Sequence, residues 1–250
     1  LAGHVEAVGA GTTRFAPGDE VFGWSHGTFA ELATAPEHAL RRKPGHLTFE
    51  QVAAAPTAAF AALQALRDVG HLQPGNTVLV VGASGGVGTI AVQVAKALGA
   101  TVTGVASTRN LELVRSTGAD HVVDYTVEDP VERDDRYDLV VDQVGTVPLR
   151  RAGRLLAPGG TYVVVGSPNP DSITGMQRFA SAIVVSPLVR RRLRPLFSKP
   201  DPGDLAVIAE LLEAGRILPV IDATYDLHGA ADALRYVEAG HSRGKVVITI

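Results

Sequence analysis

The sequence predicts an α/β fold, a doubly wound parallel sheet preceded by a β-rich module, and three observations support this. The 250 residues are 46% hydrophobic and 20% charged, which is enough apolar material for a sizeable core. From Thr77 onward, strand-like and helix-like segments alternate, as expected for a parallel sheet with helices on both faces. The run Val78-Leu79-Val80-Val81 is continuously apolar, which is typical of a strand buried on both sides.

Three regions follow from this pattern. Residues 1–70 are predicted to be a partial β-rich domain with linking helices, and residues 71–200 the α/β domain. Residues 201–250 are predicted to add helices and a strand that returns to the first domain. The chain starts in strand-like sequence and its one Met is Met176, so we expect it to be a piece of a longer protein.

The first region contains short strand-like runs separated by turns. Strands are predicted at 5–8, 20–24 and 28–34, with a Pro17-Gly18-Asp19 turn whose Pro presets φ and whose Gly accepts a positive φ. Thr48 and Gln51 have the spacing of a helix capping box. The Ala- and Leu-rich segment 53–69, interrupted only by Pro56 and followed by Gly70, is predicted to be helical.

The α/β region gives a regular succession of elements. Strands are predicted at 78–81, 102–106, 121–125, 138–142 and 161–166. Helices are predicted at 87–98, 111–117 and 148–156. The last region is predicted to contain helices at 204–214 and 229–238 and a closing strand at 245–250.

Charge and cysteine content exclude several classes of protein. The formal net charge is −3, so there is no global electrostatic basis for nucleic acid or an anionic membrane as a partner. Cysteine is absent, which excludes disulfides, a thiol nucleophile and thiolate-bound zinc. No run reaches the roughly 18 uninterrupted apolar residues of a membrane helix, and we expect no secretory leader. We therefore expect no membrane partner and a cytoplasmic location.

Segment 167–203 is the least regular part of the sequence. It is rich in cations and has no acidic residue between Met176 and Pro200. A solvated helix face or loop explains such a cluster, and an anion site or RNA patch is the alternative. The cations are Arg178, Arg190, Arg191, Arg192, Arg194 and Lys199.

The strongest functional motif is the glycine-rich turn after the first strand of the α/β region. Segment 78–88 reads VLVVGASGGVG, so a buried strand runs through a glycine-rich turn directly into a helix. Gly85 leaves room for a pyrophosphate and Gly88 lets the helix pack close to the strand, while Ala83 replaces the first glycine of the G-x-G-x-x-G pattern. The motif predicts a dinucleotide-binding turn whose helix N–H groups face the phosphates. The alternative is a purely structural turn.

The end of the second strand indicates which dinucleotide is bound. An NAD site has an acidic residue about 20 residues after the glycines, which holds the ribose 2′-hydroxyl. Segment 105–110 reads VASTRN and contains no carboxylate, whereas Ser107 and Arg109 suit a 2′-phosphate. We therefore predict NADPH, against the alternative of a helix cap followed by a surface Arg. Tyr125 is predicted to cover the phosphate or the adenine, or to be a core Tyr.

Several motifs together resemble those of a known family. They are GDEVFG at 18–23, GTFAE at 27–31, the 78–88 turn, GADHVVDY at 118–125 and GHSRGKVV at 240–247. The chain resembles the medium-chain dehydrogenase/reductase superfamily over nearly its whole length. Within that superfamily it is similar to the zinc-free quinone oxidoreductase branch, which includes the reticulon-4-interacting-protein-like relatives. The resemblance implies a Rossmann domain joined to a GroES-like β-barrel that is only partly present here, with NADPH in the cleft between them.

The resemblance also implies roles for individual residues. Ser84, Gly86 and Val87 would contact the pyrophosphate, and Ser107, Arg109 and Tyr125 would surround the 2′-phosphate. Gly145 and Gly166 would lie along the ribose and nicotinamide. The family often has Thr where this chain has Ala61, and Thr57 lies one helical turn earlier, so the hold on the nicotinamide end is less defined. Segment 161–165 would form the sheet edge, through which a homodimer is expected.

Three functions are compatible with these features. The first is NADPH-dependent reduction of a quinone or an activated alkene (an enone), without zinc and with no catalytic acid identified. The second is an NAD(P)-dependent alcohol or carbonyl dehydrogenase of the same fold, which would need zinc or an acid–base pair. His4 resembles part of a zinc motif, but we interpret it as structural or solvent-facing and predict no metal ligand. The third is a non-enzymatic dinucleotide-binding regulator.

Overall fold

The computed structural model describes residues 1–166, 192–240 and 242–250. Contacts divide the chain into two compact units, one formed by Leu1–Phe60 with Lys199–Ile250 and the other by Ala61–Ser198. The structure therefore places the last residues of the chain in the same unit as the first. The boundary near residue 60 lies about ten residues before the one expected from sequence.

Strands and helices alternate along much of the chain. The strands are β1 (Ala2–His4), β2 (Glu20–Gly23), β3 (Leu40–Arg42), β4 (Thr77–Val81), β5 (Thr101–Ala106), β6 (His121–Asp124), β7 (Tyr137–Asp142), β8 (Leu156–Val164), β9 (Arg192–Pro195), β10 (Ile221–Asp226) and β11 (Lys245–Thr249). The α-helices are α1 (Phe49–Ala54), α2 (Pro56–Leu63), α3 (Gly88–Ala97), α4 (Leu111–Ser116), α5 (Leu149–Ala152), α6 (Pro202–Glu213) and α7 (Ala230–Glu238).

The unit Ala61–Ser198 is built on a six-stranded sheet with the order β6-β5-β4-β7-β8-β9. All neighbouring strands are parallel. From β4 the chain adds β5 and β6 on one side of the sheet, and then β7, β8 and β9 on the other side. The direction therefore reverses between β4 and β7. This is the doubly wound α/β arrangement predicted from the sequence, and the fold class is confirmed.

Apolar side chains on both faces hold this sheet between its helices. Four of the five β4 residues are buried, and α3 buries Ile90, Ala91 and Val94. The helix ends before Gly99, which has a φ of 85° and so reverses the chain without a side-chain clash. Asp120, the residue before β6, joins α3 to β5. Its carboxylate accepts hydrogen bonds from Lys96 Nζ of α3 at 2.8 Å and from the Val102 N–H of β5 at 2.7 Å.

The other unit contains two small sheets. Strands β1, β2 and β3 form an antiparallel sheet, and β10 pairs with β11 in parallel. Phe15, Val21 and Leu40 form a small core. Helix α1 begins at the predicted capping box, in which the Thr48 hydroxyl accepts from the Gln51 N–H and the Gln51 side chain accepts from the Thr48 N–H.

Two local predictions were wrong. The first strand lies at Ala2–His4 and not at 5–8, and residues 28–34 form bends with Phe29 and Leu32 exposed. Residues 28–34 have no partner strand in the described chain, so no ladder forms there. The predicted helical segment 53–69, by contrast, is helical on both sides of a break at Pro56, which has no N–H for the helix ladder, and its last six residues, Gln64–Val69, are a π-helix.

The predicted sheet edge also needs correction. Segment 161–165 was expected to be the outer strand, but β8 has β9 on its far side, with Tyr162 opposite Leu193. Tyr162, Val163 and Val164 are fully buried. The sequence did not reveal β9, because Arg192-Leu193-Arg194-Pro195 lacks the apolar character of an inner strand. The cations of the basic cluster other than Arg192, Arg194 and Lys199 lie outside the described residues.

Candidate functional site

The glycine-rich turn after β4 bends at Gly82, which has a φ of 80°. Ala83, the residue that replaces the first motif glycine, is fully buried, and its N–H donates to the Val105 carbonyl at 3.0 Å. The positive φ is therefore needed one residue before the substitution. This explains how the turn forms with Ala at position 83.

The two later motif glycines serve different purposes. A Cβ on Gly88 would lie 2.1 Å from the Gly82 carbonyl oxygen, so the close approach of helix to strand requires glycine there. A Cβ on Gly85 would lie 3.5 Å from the same oxygen, which is an ordinary contact. Packing within the chain thus requires Gly88 but not Gly85, and the space beside Gly85 is open to a ligand.

The start of α3 offers backbone donors. Hydrogen bonding in the helix starts with Thr89 N–H donating to the Gly85 carbonyl at 3.0 Å. The N–H groups of Gly86, Val87 and Gly88 donate no hydrogen bond within the described part of the chain. Together with the positive end of the helix dipole, they provide a cradle of the kind that binds phosphate.

A buried amide joins this turn to the next one. Asn110 Nδ2 donates to Ser84 Oγ at 3.1 Å and to Ser107 Oγ at 3.3 Å. Asn110 is 7% exposed, whereas both serines are half-buried. Both serines belong to the motifs predicted from the sequence, whereas the residue that joins them does not. In the sequence, Asn110 is an Asn directly before a helix, which is ordinarily interpreted as a helix cap. In the structure its side chain makes no cap hydrogen bond.

Arg109 and Tyr125 lie at the ends of neighbouring strands. Arg109 is exposed and forms no ion pair with the described residues, and the Tyr125 side chain is 59% exposed. The Tyr125 N–H donates to the Ala106 carbonyl at 3.1 Å, which ties the end of β6 to the end of β5. Both side chains are therefore available to a ligand at this edge.

Asp124 is a second residue of this edge that was not among the sequence-predicted positions. Its carboxylate accepts from the hydroxyls of Thr108 and Thr126, and these hydrogen bonds hold the pKa of Asp124 below its usual value. Asp124 therefore stays ionised and orders the loop that carries Arg109. In the sequence, Asp124 can be recognised as the acidic residue that precedes Tyr125 at the end of a predicted strand.

A third turn follows β7. The buried carboxylate of Asp142 accepts from the N–H groups of Val144 at 3.1 Å and Gly145 at 2.8 Å, and from the Tyr162 hydroxyl at 2.7 Å. Gly145 has a φ of 82°. A Cβ on Gly166 would lie 1.8 Å from the Gln143 carbonyl oxygen, so the chain after β8 passes directly against this turn.

These residues share one edge of the sheet. Because β4 to β8 are parallel, the turns that follow them lie at their common carboxyl end, where open α/β sheets bind ligands. A Cβ on Gly82 would lie 2.5 Å from Val144 Cγ2, so the turns after β4 and β7 are in contact at the point where strand order reverses. The sequence-predicted positions at this edge are Ala83, Ser84, Gly85, Gly86, Val87, Gly88, Ser107, Arg109, Tyr125, Gly145 and Gly166.

Other expected features lie elsewhere. Ala61 is buried in α2 and Thr57 is exposed on the same helix. His4 is exposed on β1 in the other unit, with its ring 5.0 Å from that of Phe49. Among the residues described, no three His, Asp or Glu side chains are grouped to hold a metal ion. Within the same residues, no helix has both the length and the apolar character to span a membrane.

Sequence comparison identifies relatives of the whole chain. A family model described as "Zinc-binding dehydrogenase" matches residues 117–248. The mouse protein "NAD(P)H oxidoreductase RTN4IP1, mitochondrial" is 36% identical over 275 residues, covering 100% of this chain and 69% of its own length. The Arabidopsis thaliana "NADPH-dependent alkenal/one oxidoreductase, chloroplastic" is 32% identical, covering 99% of this chain and 62% of its own.

Structural comparison agrees. The quinone oxidoreductase from Coxiella burnetii superposes with a TM-score of 0.86 and 29% sequence identity, covering 100% of this chain and 77% of its own. The family match, the identity to full-length relatives and the shared fold point to the same group of proteins. The chain belongs to the medium-chain dehydrogenase/reductase superfamily, in its quinone oxidoreductase-like branch.

Proposed function

We propose that this chain is part of an NADPH-dependent oxidoreductase that transfers hydride to a quinone or an enone without zinc. The observation that carries the proposal is the turn after β4, where three helix-start N–H groups and the open space beside Gly85 form a phosphate cradle. Relatives named as NAD(P)H and NADPH-dependent oxidoreductases support the same assignment.

The residues at the carboxyl edge fit NADPH part by part. We assign the pyrophosphate to the N–H groups of Gly86 and Val87 with the Ser84 hydroxyl, beside Gly85. Arg109, with Ser107 and Tyr125, is assigned to the 2′-phosphate, because an exposed guanidinium is a strong, forked donor to phosphate oxygens. Gly145 and Gly166 are assigned to the ribose and nicotinamide side, where the turns after β7 and β8 meet.

The substrate class follows from the groups that these residues do not supply, because the substrate must then stabilise the developing negative charge itself. Bound NADPH supplies a hydride, which an electron-poor carbon accepts. The sequence contains no cysteine, and the described residues contain no cluster of three metal-ligating side chains. A quinone or enone needs least assistance, because its own carbonyl delocalises the negative charge that develops. The chain's contribution is to hold the cofactor in place.

The test is an assay of the full-length protein against three substrate types. We expect NADPH oxidation with small quinones or enones, and negligible NADP-dependent oxidation of ethanol or propanol. Metal-free alcohol oxidation without quinone or enone reduction would instead support an alcohol dehydrogenase. Binding of NADPH without turnover of any of these substrates would favour a dinucleotide-binding regulator.

Organisation and location complete the proposal. We assign nucleotide binding to the unit Ala61–Ser198 and a partial GroES-like domain to the other unit. A homodimer is proposed through the end of the sheet at β9, the terminal strand in the described order. Sedimentation of a full-length protein that stays monomeric at all concentrations would contradict it. A cytoplasmic location stays a prediction, and relatives named mitochondrial and chloroplastic make cell fractionation the appropriate test.

A further inference from the structure

Asn110 has an arrangement that a helix cap does not explain. Its side chain is more than nine-tenths buried, and its amide nitrogen donates one hydrogen to each of two serine hydroxyls, Ser84 at 3.1 Å and Ser107 at 3.3 Å. Its carbonyl oxygen Oδ1 is buried and has no hydrogen-bond partner within the described residues. A buried, unpartnered acceptor is destabilising, so the position is not optimised for stability alone.

The orientation of the amide follows from this arrangement. If the amide were rotated by 180°, Oδ1 would accept from both serines, and two N–H groups would be buried in the place of one oxygen. The observed orientation leaves fewer unpaired polar groups. Asn110 therefore acts as the donor, and both serine oxygens act as acceptors.

This fixes what the serine hydroxyls can do. A hydroxyl that accepts a hydrogen bond still has one proton to donate. Neither Ser84 nor Ser107 donates from its hydroxyl within the described residues, and both are half-buried at the carboxyl edge of the sheet. Each O–H is thus kept for an external acceptor, and the donated hydrogen bond from Asn110 makes it a better donor.

We propose that Asn110 is a positioning residue, which holds the hydroxyls of Ser84 and Ser107 as donors to the two phosphate regions of NADPH. This rests on the proposed function, which assigns Ser84 to the pyrophosphate and Ser107 to the 2′-phosphate. Asn110 touches neither phosphate itself. It links the first strand–helix turn to the second, so that the two regions are oriented together.

The test uses calorimetric titration of the full-length protein with NADPH and NADH. Asn110→Leu keeps a similar volume but removes the donor, and we expect both affinities to fall about tenfold, since Ser84 serves the pyrophosphate common to both cofactors. The melting temperature without cofactor should change little, because the unpaired oxygen is removed as well. Asn110→Asp should bind more weakly still, because a carboxylate would draw both serine protons to itself and repel phosphate.

A double-mutant cycle separates positioning from a structural role. In the Ser84→Ala/Ser107→Ala background, Asn110→Leu should cost no further affinity. Asn76→Asp, in the loop before β4, makes the same chemical change as Asn110→Asp. It is the control for that variant and should leave both affinities unchanged.

Two results would overturn the inference while leaving the function intact. One is NADPH binding by the unsubstituted protein with less than a twofold loss in Asn110→Leu. The other is an equal loss with and without the two serines. Failure of the unsubstituted protein to bind either dinucleotide would overturn the proposed function, and the inference with it.

Discussion

At the scale of single residues, the candidate site separates into groups that face a ligand and groups that hold those groups in place. Arg109 and Tyr125 are exposed, whereas Asn110 and Asp142 are buried and hydrogen-bonded to the turns around them. Asp124 belongs with the holding groups although it is near the surface. The ligand-facing residues are thus placed by neighbours that do not themselves reach the ligand.

Arg109 is expected to determine the choice between cofactors. Because it is exposed and has no ion pair within the described chain, its charge is available to a 2′-phosphate. Arg109→Ala should weaken NADPH about tenfold, as expected for a lost charge-assisted hydrogen bond, and leave NADH nearly unchanged. Calorimetric titration of both cofactors measures this. Arg136→Ala, in the turn before β7, is the matched control, and equal affinity of the unsubstituted protein for both cofactors would contradict the prediction.

The ligand-facing residues could be assigned from the sequence, but the contacts that the holding residues make could not. Ser84, Ser107 and Arg109 are part of a motif with known spacing, so their position at the strand ends followed from the pattern. Asn110 and Asp124 act through side-chain contacts between segments that are 26 and 16 residues apart in the chain. A single sequence shows residue types but not which of them meet.

At the scale of elements, the turn from β4 to α3 separates folding from binding. Gly88→Ala would place Cβ 2.1 Å from the Gly82 carbonyl oxygen, and the backbone would have to shift. We expect a loss of more than about 2 kcal/mol in the free energy of unfolding. Gly85→Ala meets the same oxygen at 3.5 Å, so the protein should fold normally and lose NADPH affinity. Thermal unfolding and calorimetry distinguish the two, and loss of folding in Gly85→Ala would be the contrary result.

Asp120 attaches α3 and β5 to the start of β6, and its effect should depend on pH. Burial alone would raise the pKa of Asp120, but hydrogen bonds from Lys96 and the Val102 N–H outweigh burial and lower it. The folded state then binds the proton less readily than the unfolded one. The stabilisation is therefore complete above the unfolded pKa, about 3.9, and is lost as the pH falls through the lower folded value.

Asp120→Asn should show this dependence directly. At pH 7 the variant should lose about 1 kcal/mol in the free energy of unfolding. The difference from the unsubstituted protein should shrink below about pH 4, where the unfolded state begins to bind the proton, and should vanish below the lower pKa of the folded carboxyl. Asp232→Asn, which breaks an exposed i,i+3 ion pair, is the control and should change stability little. A difference that stays constant down to pH 3 would show that charge is not responsible.

The elements themselves were largely predictable where their sequence is strongly patterned. The inner strands β4, β5 and β7 and the helix α3 lie within two residues of their expected bounds, because buried runs and glycine ends define them. The prediction did not hold at the margins of the sheets. Strand β9 is polar, and segment 28–34 has no neighbouring strand to pair with in the described chain. Strand formation there depends on distant partners, which local pattern does not contain.

At the scale of the whole molecule, the strand order of the sheet suits the binding and orientation of a cofactor that itself carries the reaction. The sheet reverses direction between β4 and β7, and the turns after these strands meet at Gly82 and Val144. This gives a fixed edge on which a dinucleotide can lie. The unit formed by Leu1–Phe60 with Lys199–Ile250 has its own small core around Phe15.

Metal independence is the prediction that concerns the whole protein. The chain has no cysteine, and its described residues contain no group of three His, Asp or Glu able to hold a metal ion. A quinone or enone accepts hydride with its own carbonyl as the electron sink, so no Lewis acid is needed to develop the charge. NADPH oxidation by the full-length protein should therefore be unchanged after exhaustive dialysis against EDTA and unaffected by added zinc. A known zinc alcohol dehydrogenase dialysed in parallel verifies that the chelation is complete. Activity that is lost on dialysis and returns with zinc would mean that the reaction uses a metal, and the zinc-free assignment would have to be abandoned.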